Sequence, residues 1–315
     1  MKPRVAFFGS PAFALPVLTA ILEHFEVVLV VTQPDKPSGR GMKLTPPAVA
    51  VRALELGLRL EQPAKLKNNL EFAAKLGESA ADVAVTCAYG KILPANLLEI
   101  PKFGFINVHT SLLPKYRGAA PIQWAIINGD TVTGVTVMQT DPGMDTGAIL
   151  LQETLSISAS ETALSLAPRL SKLGASMIVN ALENLDSLQA IPQDSSLATH
   201  ARMLEKDDAW IDWTTNASQI FNKYRGLAGW PGSYFVFAGR RVKVLEMRPS
   251  KASGQAGQML EFAEGVVVAA TDGALELLVV QPEGKSQMAA LDWARGYQVK
   301  AGAQLELQKP ALDVS

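Results

Sequence analysis

Apolar positions in the first half of the chain fall into short continuous runs, with helically spaced stretches between them. Val5 to Phe8 is one run, ended by the Gly9-Ser10-Pro11 turn. Val27 to Val31 is another, and its β-branched and Leu residues predict a strand buried on both faces. Val83 to Val85 and Gly104 to Val108 read the same way. Between the runs, Phe13 to Leu22 carries Phe13, Val17, Leu18 and Ile21 on one stripe and predicts a helix. Pro47 to Leu56, Leu70 to Leu76 and Ala119 to Ile127 also read as helices, the last with Pro121 near its first turn. This alternation predicts an α/β fold, a mostly parallel sheet with helices on both faces. Sheets of that kind bind ligands beyond the carboxyl ends of their strands.

From about residue 131 the pattern changes. Thr131 to Thr140 and Ala148 to Ile157 alternate and read as two extended segments, joined by the breaker-rich loop Asp141 to Gly147. Glu161 to Leu185 predicts one long helix, capped by Ser160 and interrupted or bent near Pro168 or Gly174. Ile191 to Thr199 is polar and lacks a period, so a linker is expected over 191–205, between a domain at 1–190 and another at 206–315. In the latter, Asn216 to Leu227 reads as a helix. Ser233–Phe237, Arg241–Met247, Gly265–Ala269 and Leu275–Val280 read as short strands of a small β-barrel or sandwich.

Composition narrows the function classes. The 315 residues are 48% hydrophobic and 19% charged, enough for a sizeable core and about two domains at roughly 150 residues each. Lys and Arg number 29 against 30 Asp and Glu, so the whole-chain sum does not suggest a strongly basic nucleic-acid binder. One cysteine, Cys87, rules out a disulfide framework, and three widely separated histidines argue against a metal site. No apolar run reaches the ~18–20 residues that span a bilayer, and the N-terminus lacks a signal peptide's hydrophobic stretch. No membrane association and a cytoplasmic location are therefore expected. Pro11 and Ala14 stand where a G-x-G-x-x-G fingerprint needs glycines, and no P-loop occurs, which argues against nicotinamide, flavin or nucleotide cofactors.

The candidate chemistry lies at Asn107-Val108-His109, the end of a predicted buried strand. Alternation puts Asn107 and His109 on one face, an amide beside an imidazole at a C-terminal strand end. The turn-rich segment after them, Thr110 to Pro121, has backbone groups that cannot all pair in a sheet, an arrangement suited to a flat hydrogen-bonding ring. If the Pro142–Gly147 loop folds over the strand end, Asp145 can hydrogen-bond His109, orient its ring and favour its charged form. Residues 33–43 read as a flexible basic insertion with Lys36, Arg40 and Lys43 against Asp35. Arg240, Arg241, Lys243, Arg248 and Lys251 form a second basic cluster against Glu246.

These motifs together resemble the methionyl-tRNA formyltransferase family over nearly the whole chain. The segments are FFGSPAFA near the start, TQPDKPSGRGMKLTPPAV at 32–49, CAYGKILP at 87–94, INVHTSLLPKYRGAAPIQWAIINGD at 106–130, GVTVMQTDPGMDTG at 134–147 and KDDAWIDW at 206–213. One departure is Ala228-Gly229-Trp230-Pro231, where the family often has Asn-Pro-Trp-Pro. The resemblance implies formyl transfer from 10-formyltetrahydrofolate to the α-amino group of methionyl initiator tRNA, with no metal. It puts the catalytic Asn, His and Asp on Asn107, His109 and Asp145 and the folate contacts on Ser111, Leu112, Leu113 and Pro114. It also implies a Rossmann-like N-terminal domain joined by a linker to an OB-like C-terminal barrel. With the resemblance, tRNA contact is expected at Arg40, Lys36 and Lys43 and at Arg241 and Lys243, in a monomer. Two rival readings are a formyltransferase for an amino-sugar nucleotide and a catalytically silent folate- or RNA-binding protein.

Overall fold

The uninterrupted apolar runs become the middle of a sheet because they have no polar face to offer water. The computed structural model describes residues 2–38, 43–262 and 264–309. In chain order the first elements are β1 (Val5–Gly9), α1 (Leu15–His24), β2 (Val27–Val31), β3 (Lys36–Ser38), β4 (Lys43–Thr45), α2 (Ala48–Glu55), β5 (Leu60–Glu61), α3 (Leu70–Glu78) and β6 (Val83–Cys87). There follow α4 (Ala95–Leu98), β7 (Phe105–His109), β8 (Arg117–Gly118), α5 (Pro121–Ile127), β9 (Val132–Gln139), β10 (Ile149–Ser156), α6 (Ala163–Glu183) and β11 (His200–Ala201).

Seven strands form one sheet in the order β10-β9-β7-β6-β1-β2-β5. The ladders from β7 through to β5 are parallel, and β9 and β10 join antiparallel, so the sheet is mostly parallel as expected. One face carries Ala6, Phe8, Leu29, Val31, Ala84 and Phe105 against Phe72 and Leu76 of α3 and Leu97 of α4. Phe8 meets Phe72, Tyr89 and Phe105 edge-on, contacts worth about 0.5–1.5 kcal/mol each beyond their buried area. On the other face, α6 comes close through Gly174, where a Cβ would lie 2.7 Å from Val108 Cγ1. The chain runs outward from β1 to β5 and returns to β6 on the other side. That reversal of strand order opens a crevice at the carboxyl ends of β1 and β6, next to the end of β7.

Contacts divide the chain into two compact units. One holds the described parts of Met1–Ile122, Val132–Ile157 and Ser165–Arg202; the other holds those of Gln123–Thr131, Ser158–Leu164 and Met203–Ser315. Residues 191–202, expected as linker, thus belong with the first unit. There β11 pairs in parallel with β8, His200 opposite Arg117 and Ala201 opposite Gly118. The long helix α6 starts at Ala163, which removes Ser160 from the cap position, and it runs unbroken past Pro168 and Gly174.

The second unit contains α7 (Ala217–Gly226), β12 (Ser233–Phe237), β13 (Arg240–Ser250), β14 (Met259–Phe262), β15 (Val266–Ala269), β16 (Ala274–Pro282), β17 (Met288–Ala289) and α8 (Ala290–Gly296). Its antiparallel sheet follows the path β12-β13-β16-β15-β14, with β17 on β16. Among the described residues no ladder joins β14 to β12, so the expected barrel is an unclosed antiparallel sheet. Its core holds Trp213, Trp293, Phe235, Val244 and Leu277. Trp293 sits edge-on to Phe235 and Phe237 at 5.5 Å each. Asn216 caps α7 by accepting from the Gln219 N–H at 2.9 Å. Arg225, buried in this unit, donates to the Glu161 carbonyl at 2.7 Å and to Asn222.

Candidate active site

Strand alternation sends Asn107 and His109 to one face of β7, where neighbouring strands fix each of them. The Thr86 hydroxyl on β6 donates to Asn107 Oδ1 at 2.8 Å. With its oxygen engaged, the amide presents its NH2 end as the free donor. Thr86 and Asn107 are also register partners across the β6–β7 ladder. The sequence reading missed Thr86; its place at the carboxyl end of a buried strand was the available signal.

His109 is 6% exposed, and its ring is held by a group other than the one expected. Its Nε2 lies 2.9 Å from the Tyr116 carbonyl oxygen. A carbonyl can only accept, so Nε2 carries a proton and donates it. Nδ1 faces Asp145 Oδ1 at 3.7 Å, ion-pair distance but too long for a hydrogen bond. The expectation that Asp145 orients the ring by hydrogen bonding is therefore corrected: Tyr116 orients it, and Asp145 stands opposite the remaining nitrogen as a charge. The Asp145 carboxylate is itself fixed, accepting at Oδ2 from the Gly118 N–H at 2.8 Å. Tyr116 and Asp145 both hold left-handed backbone, φ +62° and +55°. Such conformations in non-glycine residues cost about 1–3 kcal/mol and cluster where side chains or carbonyls must be aimed.

The Ser111–Pro114 segment follows directly. Its backbone groups were expected to be open, but several are already paired. Thr136 Oγ1 donates to the Ser111 carbonyl at 2.6 Å and accepts from the Leu113 N–H at 3.1 Å. Gln152 Nε2 donates to the Leu113 carbonyl at 2.9 Å. The Lys115 N–H closes a turn on the Leu112 carbonyl, and the Thr199 N–H reaches the Pro114 carbonyl. Ser111 and Leu113 are buried, whereas Leu112 and Pro114 remain half-exposed. The reason is turn geometry: a loop that reverses sharply under a strand end satisfies its own groups through Thr136 and Gln152, both outside the segment.

Cys87, at the end of β6, is fully buried, and burial pushes its thiol up to about 12. It is inert as a nucleophile at neutral pH. Among the described residues no group of three or more His, Cys, Asp or Glu could hold a metal ion.

The candidate tRNA contacts fall in two other places. Lys36 and Lys43 sit on β3 and β4, whose antiparallel register sets Lys36 opposite Thr45 and Ser38 opposite Lys43. The described part of the insertion is thus a paired ribbon rather than a flexible loop, with both lysines on one face. Arg40 lies outside the described residues. Lys91 adds a cation the sequence reading missed, donating to the carbonyls of Pro63 and Ala64. Burial, and then the like charge of Lys36, hold its ammonium below the ordinary lysine value. In the second unit Arg241 and Lys243 are exposed on β13 and line an open cavity of about 280 Å³ with Gln281, Pro282, Glu283 and Gly284. Arg241 lies over the Tyr234 ring at 5.2 Å. Arg248, counted with this cluster in the sequence, instead pairs with Glu276 at 2.7 Å and Glu264 at 2.6 Å.

Comparison with known proteins finds relatives along nearly the whole chain. The Formyl transferase family model matches residues 3–182, and that of the Formyl transferase C-terminal domain matches 203–298. A methionyl-tRNA formyltransferase of Deinococcus radiodurans is 55% identical over 309 residues, 98% of this chain and 97% of that protein. One from Thermus thermophilus is 45% identical, covering 96% of this chain and 99% of the relative. Among solved structures, an N-formyltransferase from Helicobacter canadensis, in complex with folinic acid and dTDP-3-aminofucose, shares the fold. Its TM-score is 0.67 at 19% identity, over 88% of this chain and 99% of that one. HypX from Aquifex aeolicus in complex with tetrahydrofolic acid has a TM-score of 0.66 at 15% identity, over 96% of this chain and 48% of that one.

Proposed function

The chain belongs to the methionyl-tRNA formyltransferase family, and from that premise we propose that Asn107, His109 and Asp145 carry the transfer. The enzyme formylates methionyl initiator tRNA. The observation that carries the residue assignment is the fixed Asn107–His109–Asp145 cluster. The amide is anchored through its oxygen, one imidazole nitrogen is locked on Tyr116, and the other faces a carboxylate 3.7 Å away.

The donor we assign is 10-formyltetrahydrofolate, a co-substrate taken by Ser111, Leu112, Leu113 and Pro114. Half-exposed Leu112 and Pro114, directly after the strand end, offer it an apolar surface. The methionyl amine attacks the formyl carbon without a covalent enzyme intermediate, in keeping with the inert Cys87. Asn107 donates from Nδ2 to the developing oxyanion. His109, when charged, offers its Nδ1–H to the same oxygen while Nε2–H stays on Tyr116. Asp145 stabilises that imidazolium through Oδ1 and, through solvent, takes the proton from the attacking amine. As the tetrahedral species collapses, the bond from the formyl carbon to N10 breaks, N10 takes up a proton from solvent, and tetrahydrofolate leaves.

For the tRNA, Lys36 and Lys43 on one ribbon face and Arg241 and Lys243 on β13 would meet backbone phosphates. An OB-like role for the second unit is supported by its five-strand antiparallel path with an accompanying helix. No helix among the described residues is long and apolar enough to cross a membrane, and a tRNA substrate supports a cytoplasmic location.

The test supplies the purified chain with 10-formyltetrahydrofolate and, separately, initiator methionyl-tRNA, elongator methionyl-tRNA and a dTDP-amino sugar. Formylation of the initiator species well above the other two is expected. Transfer to the amino sugar but not to tRNA would overturn the reading.

A further inference from the structure

We propose that Gln193 is a positioning residue for formyl transfer, clamping the Asp145 loop so that Oδ1 stays opposite His109. The assignment rests on Asp145 acting with His109, as argued above. In the sequence Gln193 is one polar residue in an aperiodic stretch. In the fold, each polar position of its amide has a partner. Nε2 donates to the Asp145 carbonyl at 2.9 Å and to the Gly147 carbonyl at 2.7 Å. Oε1 accepts from Arg117 Nε at 3.1 Å and Nη2 at 2.8 Å. These four bonds exhaust the two donors and two lone pairs of a glutamine amide.

Polarity makes the clamp directional. Arg117 is a buried residue whose guanidinium can only donate, so it forces Oε1 toward itself and the NH2 toward the loop. A flipped amide would set N–H groups against N–H groups. The two carbonyls held by Nε2 flank Thr146 and include that of Asp145, whose φ of +55° turns the chain there. The reach of the clamp is set by its base, where Ile149 and Ile191 exchange N–H···O bonds at 2.8 Å each. Arg117 closes the circuit: its neighbour Gly118 donates to Asp145 Oδ2, and its own N–H bonds the Thr199 carbonyl at 2.8 Å. Main chain and carboxylate of Asp145 are thus held from one side chain and one adjacent backbone.

The discriminating variant is Gln193→Glu. It keeps an acceptor for Arg117 but has no N–H for the loop. Gln193→Ala, which opens both sides to water, is measured beside it so that the outcome does not depend on one substitution folding. Single-turnover formylation of initiator methionyl-tRNA is followed for both, for Asp145→Ala, and for the double variant Gln193→Glu/Asp145→Ala. Both single Gln193 variants are expected to lower turnover by about 10- to 100-fold, the scale of a small misplacement, with KM for each substrate within about twofold. Gln193→Glu is expected to remain folded at the assay temperature, with a midpoint lowered by the loss of the two loop bonds. On the Asp145→Ala background it adds less than about a twofold loss, because residues acting as a unit are not additive. Wild-type turnover in Gln193→Glu beside a crippled Asp145→Ala overturns this proposal alone. So does an equal loss on both backgrounds. Wild-type turnover in Asp145→Ala overturns the reading of the site and this proposal with it.

Discussion

At Asn107 we assign Nδ2 as the end of the amide that meets substrate, because the Thr86 hydroxyl donates to Oδ1. Thr86→Val keeps the shape and removes the donor. Turnover is expected to fall about tenfold while stability drops by about 1 kcal/mol, the usual net worth of one hydrogen bond. A rate assay and a denaturant titration on the same preparation check both. At Cys87 the expectation is silence. Burial raises its thiol from an ordinary 9.0 to about 12, so the folded chain holds it neutral. Its contribution to stability is complete below pH 9. It is lost as pH rises from 9 toward 12, because only the unfolded chain ionises in that window. A thiol reagent at pH 8 should leave the native enzyme unlabelled and active and should label it after denaturation. Prompt labelling of the native enzyme would contradict the burial. Asn107 and His109 were legible as residue types at a strand end, and Asp145 as an acid in a breaker-rich loop. Their supports were not, because Thr86, Tyr116 and Gln193 act through partners 21, 7 and 48 residues away.

At the scale of elements, the strap from Ile191 to Ala201 ties together the two loops that carry Tyr116 and Asp145. Gly118 marks where it is tightest. Its φ is +119°, and a Cβ there would lie 2.7 Å from the Ala201 carbonyl oxygen. Gly118→Ala is expected to cost about 1–3 kcal/mol and to lower turnover, since the same residue's N–H holds Asp145. A variant with wild-type midpoint and rate would show that the strap is slack. On β13, Arg241→Ala/Lys243→Ala is expected to raise KM for tRNA and leave the chemical step intact. It should also flatten the log–log salt dependence by about one per phosphate contact removed. An unchanged salt slope would remove β13 from the tRNA path. Strong periodicity made the larger elements readable, and Val27–Val31 forms β2 with those bounds. The two-residue strands β8 and β11 had no period to read. They exist because a polar stretch found the edge of a loop, a tertiary event that propensity does not encode. β14 and α8, residues 259–262 and 290–296, have no counterpart among the elements read from the sequence.

For the whole molecule, a net charge of −1 conceals where the cations stand. Residues 206–315 hold 12 Lys and Arg against 12 Asp and Glu, and the structure narrows the basic cluster there further by pairing Arg248 with two glutamates. The described cations we assign to tRNA are local: Lys36 and Lys43 on one ribbon, Arg241 and Lys243 on one strand. Such patches suit a substrate held briefly and predict only modest non-specific RNA binding. The central claim is that chemistry resides at the end of β7. It is tested most directly by the single-turnover rate of formyl transfer from 10-formyltetrahydrofolate to initiator methionyl-tRNA by His109→Ala, with Asn107→Ala and Asp145→Ala alongside. Each is predicted to lose at least ~100-fold, the typical cost of one oxyanion donor or its support, while remaining folded. A His109→Ala enzyme that transfers formyl at close to the wild-type rate would contradict the claim.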